Sequence, residues 1–149
     1  MTVSVESFPR DNLDEGVQLY RAVFNEPPWE DDWTDETARR RLSQIIETPG
    51  YRGYGASVRG ELVGLVMGNL EQWYTGEHFY LKEMCVCPSQ QRHGIGTTLI
   101  AHLIETLQKE SVERVYLLTM QESPARAFYE NNGFRLDEQM GMQSLQIEP

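Results

Sequence analysis

Leu81-Lys-Glu-Met-Cys-Val-Cys-Pro-Ser-Gln-Gln-Arg-His-Gly-Ile-Gly-Thr-Thr-Leu-Ile-Ala-His-Leu-Ile104 is the stretch around which the rest of the chain is read. Its first half is a buried strand that stops at Cys87-Pro88, because proline cannot donate to a sheet ladder. Its second half is an amphipathic helix: Ile95, Leu99, Ile100, Leu103, Ile104 and Leu107 recur at three- and four-residue steps and form one apolar stripe. Between them, Gln91-Arg92-His93-Gly94-Ile95-Gly96 carries two glycines where the backbone must turn or approach a ligand closely. The first turn of the helix leaves N–H groups unpaired and partly positive, which suits a phosphate, and Arg92 and His93 add positive character beside it. On these residues alone, a ligand-free strand-to-helix turn reads equally well. Two common glycine-rich patterns fail here: Leu99 stands in the place of the third glycine of G-x-G-x-x-G, and no Gly-Lys-Ser/Thr follows.

A third pattern fits. Val86-x-Pro88-x-x-Gln91-x-x-Gly94-x-Gly96 resembles the acetyl-CoA signature of the GNAT superfamily of N-acetyltransferases, (Arg/Gln)-x-x-Gly-x-(Gly/Ala) following a strand. Ala125-x-x-Phe128-Tyr129-x-x-x-Gly133-Phe134 resembles that superfamily's second signature, in the family's order and at about its usual spacing. The resemblance implies a mixed α/β chain with the GNAT acyl-CoA N-acyltransferase fold: a twisted, mostly antiparallel sheet of about six to seven strands with helices on both faces. It implies acetyl-CoA as cosubstrate and an amine as acceptor.

Length and composition set the bounds. A chain of 149 residues predicts one domain, 1–149, with a single sizeable core. Hydrophobic residues at 40% and charged residues at 24% are ordinary for a soluble globular protein, so no fibrous or disordered class applies. No apolar run approaches the roughly 20 residues that cross a bilayer, and Thr2 to Asp11 is too polar for a signal peptide, so no membrane partner is expected. Cys85 and Cys87 stand two apart on one strand, a spacing that rarely reaches disulfide geometry, and His78, His93 and His102 show no metal spacing. Reduced thiols in a cytoplasmic protein without a metal are the expectation. The net charge of −10 argues against nucleic acid and is compatible with a cationic amine.

Taken in order, Thr2 to Phe8 alternates as a first strand, and Asp11 or Asn12 can cap a helix carrying Leu13, Val17, Tyr20 and Phe24. Pro27-Pro28 ends it, and Trp29 and Trp33 flank Glu30-Asp31-Asp32. Thr34 caps a second helix to about Glu47, with Ala38, Leu42, Ile45 and Ile46 inward and an outer face that carries Arg39, Arg40 and, less firmly, Arg41. Tyr51 to Val58 and Glu61 to Leu70 are strands joined at Arg59-Gly60, with Gly64 and Gly68 marking a bulge or close packing. Glu71 to Glu77 is a loop. Val115 to Met120 is a short buried strand. Ser123 as N-cap and Pro124 at N1 start a helix that Gly133 ends, and Phe134 to Ile147 has room for one or two strands. A homodimer is compatible with this pattern, although no exposed aromatic patch in the final strands argues for one.

Acetyl transfer to an amine needs a base for the ammonium proton, donors for the oxyanion and an acid for the thiolate. The resemblance implies that Met84, Cys85 and Val86 bind the pantetheine arm, and that Gln91, Arg92, His93, Gly94, Ile95, Gly96 and Thr97 hold the pyrophosphate. Ser123 and Arg126 are added cofactor contacts. Tyr129 falls at the family's general-acid tyrosine, and a phenol with its ordinary pKa of about 10 can donate at neutral pH. Glu83 is an acidic residue in an otherwise apolar strand and is the candidate base, ahead of Glu77, Tyr80 and Asp32. The alternative for Glu83 is a structural charge, paired with Lys82 or facing solvent.

Trp29, Asp32, Trp33, Trp73 and Tyr80 are the expected acceptor wall, since aromatic faces and carboxylates both attract ammonium groups; the alternative for the Trp29–Trp33 segment is a connector whose tryptophans pack on the core. One position departs from the family: Glu122 stands where many relatives have an asparagine that contacts the cofactor. The expected function is acetyl-CoA-dependent N-acetylation of a small amine (aminoglycoside-like or polyamine-like) or a peptide. The rival is a non-catalytic acyl-CoA sensor.

Overall fold

The computed structural model describes residues 2–149. Its elements run β1 (Val3–Ser7), α1 (Leu13–Phe24), α2 (Asp35–Glu47), β2 (Tyr51–Val58), β3 (Glu61–Gln72), β4 (Glu77–Val86), α3 (Ile95–Lys109), β5 (Arg114–Tyr116) and α4 (Pro124–Asn131), with short 3-10 turns before α1 and α3. The chain forms two compact units, one ending at Leu118 and one spanning Thr119–Pro149.

In the first unit the five strands are ordered β1-β2-β3-β4-β5. The first three pairings are antiparallel and the last is parallel. The β2–β3 turn follows from its chemistry. Arg59 and Gly60 both take positive φ, 53° and 78°, as a two-residue turn matching strand twist requires. The β3 glycines act in the two ways their positions suggest. A bulge lies at Met67/Gly68, and a Cβ on Gly68 would meet the Tyr80 carbonyl oxygen at 2.0 Å. A Cβ on Gly64 would sit 2.9 Å from Leu99 Cδ1 and 3.1 Å from Ile95 Cγ2, so the glycine lets α3 lie close against β3.

Strand alternation sorts the helices onto two faces. Leu65, Met67 and Cys85 join α1 and α2 in one core with Phe8, Val17, Tyr20 and Leu42, while Gly64 faces α3 on the other side. Thr34 caps α2 through a reciprocal box, its hydroxyl accepting from Thr37 N–H at 3.0 Å and its own N–H donating to the Thr37 hydroxyl at 2.9 Å. The other end of α2 is fastened by buried Asn69, whose Nδ2 donates to the carbonyls of Ile45 at 3.1 Å and Thr48 at 3.2 Å.

Five expectations are revised. Arg41 points inward, because one helical turn sets it beside Ala38 and Ile45 on the core side of α2. The strand expected over Val115–Met120 pairs only through Tyr116, and β3 runs to Gln72 with a tight turn at residues 73–76 in place of a loop. In the second unit Ser123 is the N-cap residue of α4, but its hydroxyl donates backward to the Met120 carbonyl at 2.8 Å and caps no N–H. Phe134 to Ile147 forms no strand. Apolar alternation there supplies a sheet-compatible pattern, but a strand exists only where a ladder partner pairs with it. Gly133, with φ 95°, ends α4 in the left-handed region as its position predicts.

Candidate active site

β4 carries the site because its two edges have different fates. Cys87 N–H donates to the Val63 carbonyl at 2.7 Å, which fixes the alternation along the strand. Cys85 and Glu83 therefore face β3 with their main-chain groups, and Met84 and Val86 turn theirs to the opposite edge. On that edge β5 pairs only with His78–Tyr80, so no strand of the sheet covers Leu81–Val86. Among the described residues, the one carbonyl there with a side-chain partner is Val86, which accepts from Gln91 Nε2 at 3.0 Å. Gln91 thus braces the exit of β4 against the loop that follows.

That loop delivers the chain to α3 with its first turn open. Arg92 has φ 69° and Gly94 has φ 78°, both left-handed, and Gly94 is the N-cap residue with no side-chain cap. A Cβ on Gly94 would have nothing within 4 Å. Thr98 returns both its N–H and its hydroxyl to the Gly94 carbonyl at 2.9 Å, but the N–H groups of Ile95, Gly96 and Thr97 precede the first closed helical bond and point out of the helix end. Gln91, Arg92, His93, Gly94 and Thr97 are exposed, whereas the Ile95 side chain is buried, so Ile95 can offer only its backbone. An uncapped helix N-terminus continuous with an unpaired strand edge fits a pyrophosphate followed by an amide-bearing arm.

Glu83 lies at the other side of β4. Its Oε2 accepts from the Tyr20 hydroxyl at 2.9 Å and from Arg41 Nε at 2.8 Å, joining α1, α2 and β4 at one oxygen. Burial pushes the carboxyl upward from its ordinary value, the Arg41 and Tyr20 hydrogen bonds pull it back, and Asp31 adds to the upward push. Burial beside Glu83 likewise raises the Tyr20 hydroxyl. The buried Cys85 thiol is raised by the same two causes and is inert as a thiolate source, and neither cysteine is bridged.

The Trp/acidic loop leads back to this cluster. The Trp33 ring meets Tyr20 edge-on at 5.0 Å, and its indole N–H donates to Asp31 Oδ2 at 3.1 Å. Asn25 clasps the Trp33 backbone from both sides, at 2.9 and 3.0 Å. Trp29 is 37% exposed and contacts Phe24 at 5.1 Å. Glu83, Trp33 and Trp29 therefore belong to one neighbourhood, in which Asp31 and not Asp32 is the carboxylate tied to a tryptophan.

Trp73 and Tyr80 fall elsewhere. Trp73 is 46% exposed at the β3–β4 turn and stacks on His78 at 5.1 Å, five residues and about 17 Å along β4 from Glu83. Tyr80 stacks on Tyr116 at 4.6 Å, where β4 and β5 part, and Tyr116 donates to Glu71 Oε1 at 2.6 Å. In the second unit Tyr129 lies in ring contact with Phe128 at 5.2 Å and Phe134 at 5.5 Å. Arg126 pairs with Glu130 at 2.9 Å. Among the described residues no group of three His, Cys, Asp or Glu side chains is arranged to hold a metal ion, and no helix is long and apolar enough to cross a membrane.

Sequence reasoning missed Tyr20 and Arg41. Tyr20 reads as one more apolar position of α1, and its bond to Glu83 spans 63 residues. Arg41 could have been found, since the three-residue step from Ala38 already puts it on the buried side.

The comparisons with known proteins agree with this geometry. The family model described as the acetyltransferase (GNAT) family matches residues 17–134. The chain belongs to the GNAT acetyltransferase family, whose acyl donor is acetyl-CoA, and it is an acyltransferase. No curated protein matches it in sequence.

Among solved structures it is similar to an integron cassette protein from the mobile metagenome of V. cholerae (TM-score 0.83, 18% identity, 98% of this chain and 93% of that one). It is also similar to the aminoglycoside N-acetyltransferase AAC(6')-Iy in complex with a CoA bisubstrate analogue (0.78, 14%, 99% and 100%). A third is an aminoglycoside acetyltransferase from an uncultured soil metagenomic sample in complex with sisomicin (0.77, 18%, 98% and 97%). At these identities the likeness is one of fold.

Proposed function

We propose that this acyltransferase moves the acetyl group of acetyl-CoA to a primary amine of a small molecule, aminoglycoside-like or polyamine-like, in preference to a peptide. The two units act as one acetyltransferase domain, since the family match runs through both. The observation that carries the reading is the unpaired Leu81–Val86 edge running directly into the uncapped N-terminus of α3. Main-chain groups of Met84 and Val86 bind the pantetheine arm and polarise the thioester carbonyl. The N–H groups from Arg92 to Thr97 hold the pyrophosphate, helped by the exposed Arg92 side chain.

Acetyl-CoA supplies the activated acyl carbon; the remaining steps belong to the chain. Glu83 takes the ammonium proton, directly or through water, so that a neutral nitrogen attacks. Tyr129, at its place in the family's second signature, gives a proton to the departing thiolate. Trp29, Trp33 and Asp31 form the near acceptor wall, and Tyr80 and Trp73 a farther one. A small polycation is favoured because aromatic faces and carboxylates alternate around Glu83 on a protein of net charge −10, and because two of the similar folds are aminoglycoside acetyltransferases.

A thermal-shift titration with acetyl-CoA, CoA and NAD, followed by thiol release with sisomicin, spermine and a free-amine peptide, tests this reading. At 100 times Kd the CoA species should add about 2.7 kcal/mol and several degrees of Tm, with NAD inert. No shift with acetyl-CoA refutes the cofactor site. Thiol release with the peptide alone refutes the small-amine preference.

A further inference from the structure

Both hydrogen bonds to Glu83 fall on Oε2, and neither falls on Oε1. The groups that face this carboxyl come from every element around it: Tyr20 from α1, Arg41 from α2, Asp31 from the loop between those helices, and Cys85 from β4 itself, with Met67 opposite on β3. Arg41 is the one cation in that set. We propose that Arg41 and Tyr20 are positioning residues that hold Glu83 ionised and oriented, so that Oε1 alone receives the proton of the incoming amine.

The proposal rests on the reading of Glu83 as the base, and it deepens that reading. A carboxyl whose side chain is only 13% exposed loses most of its hydration, and Asp31 adds like charge; both favour the protonated form, which cannot accept the amine's proton. Arg41 offsets both: burial works against its own charge, but its partners, Glu83 first, outweigh that loss, and a side chain 37% exposed keeps part of its hydration while Nε reaches the carboxylate. Tyr20 fixes the angle. Its ring is wedged against Phe24 at 4.8 Å and Trp33 at 5.0 Å, so its hydroxyl cannot follow Oε2 if the carboxyl rotates. The protons then balance. The ammonium gives one proton to Oε1, the neutral amine attacks the thioester carbon, the C–S bond breaks as the nitrogen loses its second proton and the departing thiolate gains one, and the protonated carboxyl returns its proton to solvent.

The test reads Glu83 directly. Carbon-13 NMR of the glutamate side-chain carboxyls, with the Glu83 signal assigned by its loss in Glu83→Gln, is followed from pH 3 to 9 in the wild type, Arg41→Gln, Arg41→Lys and Tyr20→Phe, each checked for a cooperative melt. The Glu83 midpoint should rise by about one to three units in Arg41→Gln, and by less in Tyr20→Phe and Arg41→Lys. Should Arg41→Gln fail to fold, the Arg41→Lys and Tyr20→Phe titrations decide alone. A midpoint unmoved in every folded variant overturns the proposal. Wild-type thiol release by Glu83→Gln overturns instead the base on which it rests, whatever the titration shows.

Discussion

Two glycines flank α3, and substituting each with alanine should separate binding from stability. Gly94 has φ 78° with empty space where a Cβ would stand, so Gly94→Ala meets no protein atom and costs only the left-handed backbone penalty, about 1–2 kcal/mol. For a chain of this size that is a fall in Tm of about 2–8 °C. The empty space lies before the open helix end, where the pyrophosphate is proposed to sit, so the new methyl group should weaken acetyl-CoA binding about tenfold or more.

Gly64→Ala should do the reverse. Its Cβ would press on Leu99 Cδ1 at 2.9 Å and Ile95 Cγ2 at 3.1 Å, an overpacking cost of about 1–3 kcal/mol, while acetyl-CoA affinity stays within about twofold. Isothermal titration with acetyl-CoA and urea unfolding of the same two samples give both axes. A Gly94→Ala protein that binds acetyl-CoA as the wild type does would refute the placement of the phosphate at the α3 N-terminus.

Three other outcomes are expected. Glu83→Gln should lower acetyl transfer by about 10²–10⁴-fold in a thiol-release assay and leave acetyl-CoA affinity unchanged. Asn69→Ala should cost about 1–3 kcal/mol in urea unfolding, because the Ile45 and Thr48 carbonyls lose their buried donor. Arg52→Gln tests a depressed carboxyl. Arg52 hydrogen bonds hold Glu110 below its ordinary value, so the pair stabilises above the unfolded pKa of about 4.3 and the stability is lost as pH falls through the folded value. The wild-type advantage over Arg52→Gln, a few tenths of a kcal/mol for so exposed a pair, should be present at neutral pH and be lost as acid protonates Glu110.

Much of the fold was legible because its decisive signals are local. Pro88 stops β4, Arg59-Gly60 turns β2 into β3, Thr34 caps α2, and Gly133 ends α4; each needs only its own neighbours. The glycine-bearing turn into α3 was legible for the same reason. What the sequence hid was pairing at a distance. The brevity of β5 depends on how far β4 and β5 run together, and the clasp on Glu83 depends on α1 and α2 arriving at one oxygen. Met140, Met142, Leu145 and Ile147 show the limit from the other side: they carry a strand-like pattern, yet no residue in the sequence says which ladder they would join. The tryptophan loop fell between the two cases. Its chemistry was readable, but only the Tyr20 ring contact and the Trp33 indole bond to Asp31 showed which tryptophan packs inward and which carboxylate lies beside it.

Phe8 has a consequence for how the protein can be handled. A Cβ on Gly16 would meet the Phe8 ring at 2.4 Å, so the ring seats in a notch in α1; its N–H donates to Gly53 and its carbonyl accepts from the Tyr51 hydroxyl. Thr2, just before the edge strand β1 that leads to this anchor, is exposed. A protease that trims past Phe8 would remove the peg that seats α1 and, with it, the register of Tyr20 one turn farther along. Preparations clipped at the N-terminus should therefore keep binding acetyl-CoA while losing turnover, and mass spectrometry of the intact chain belongs beside any activity measured.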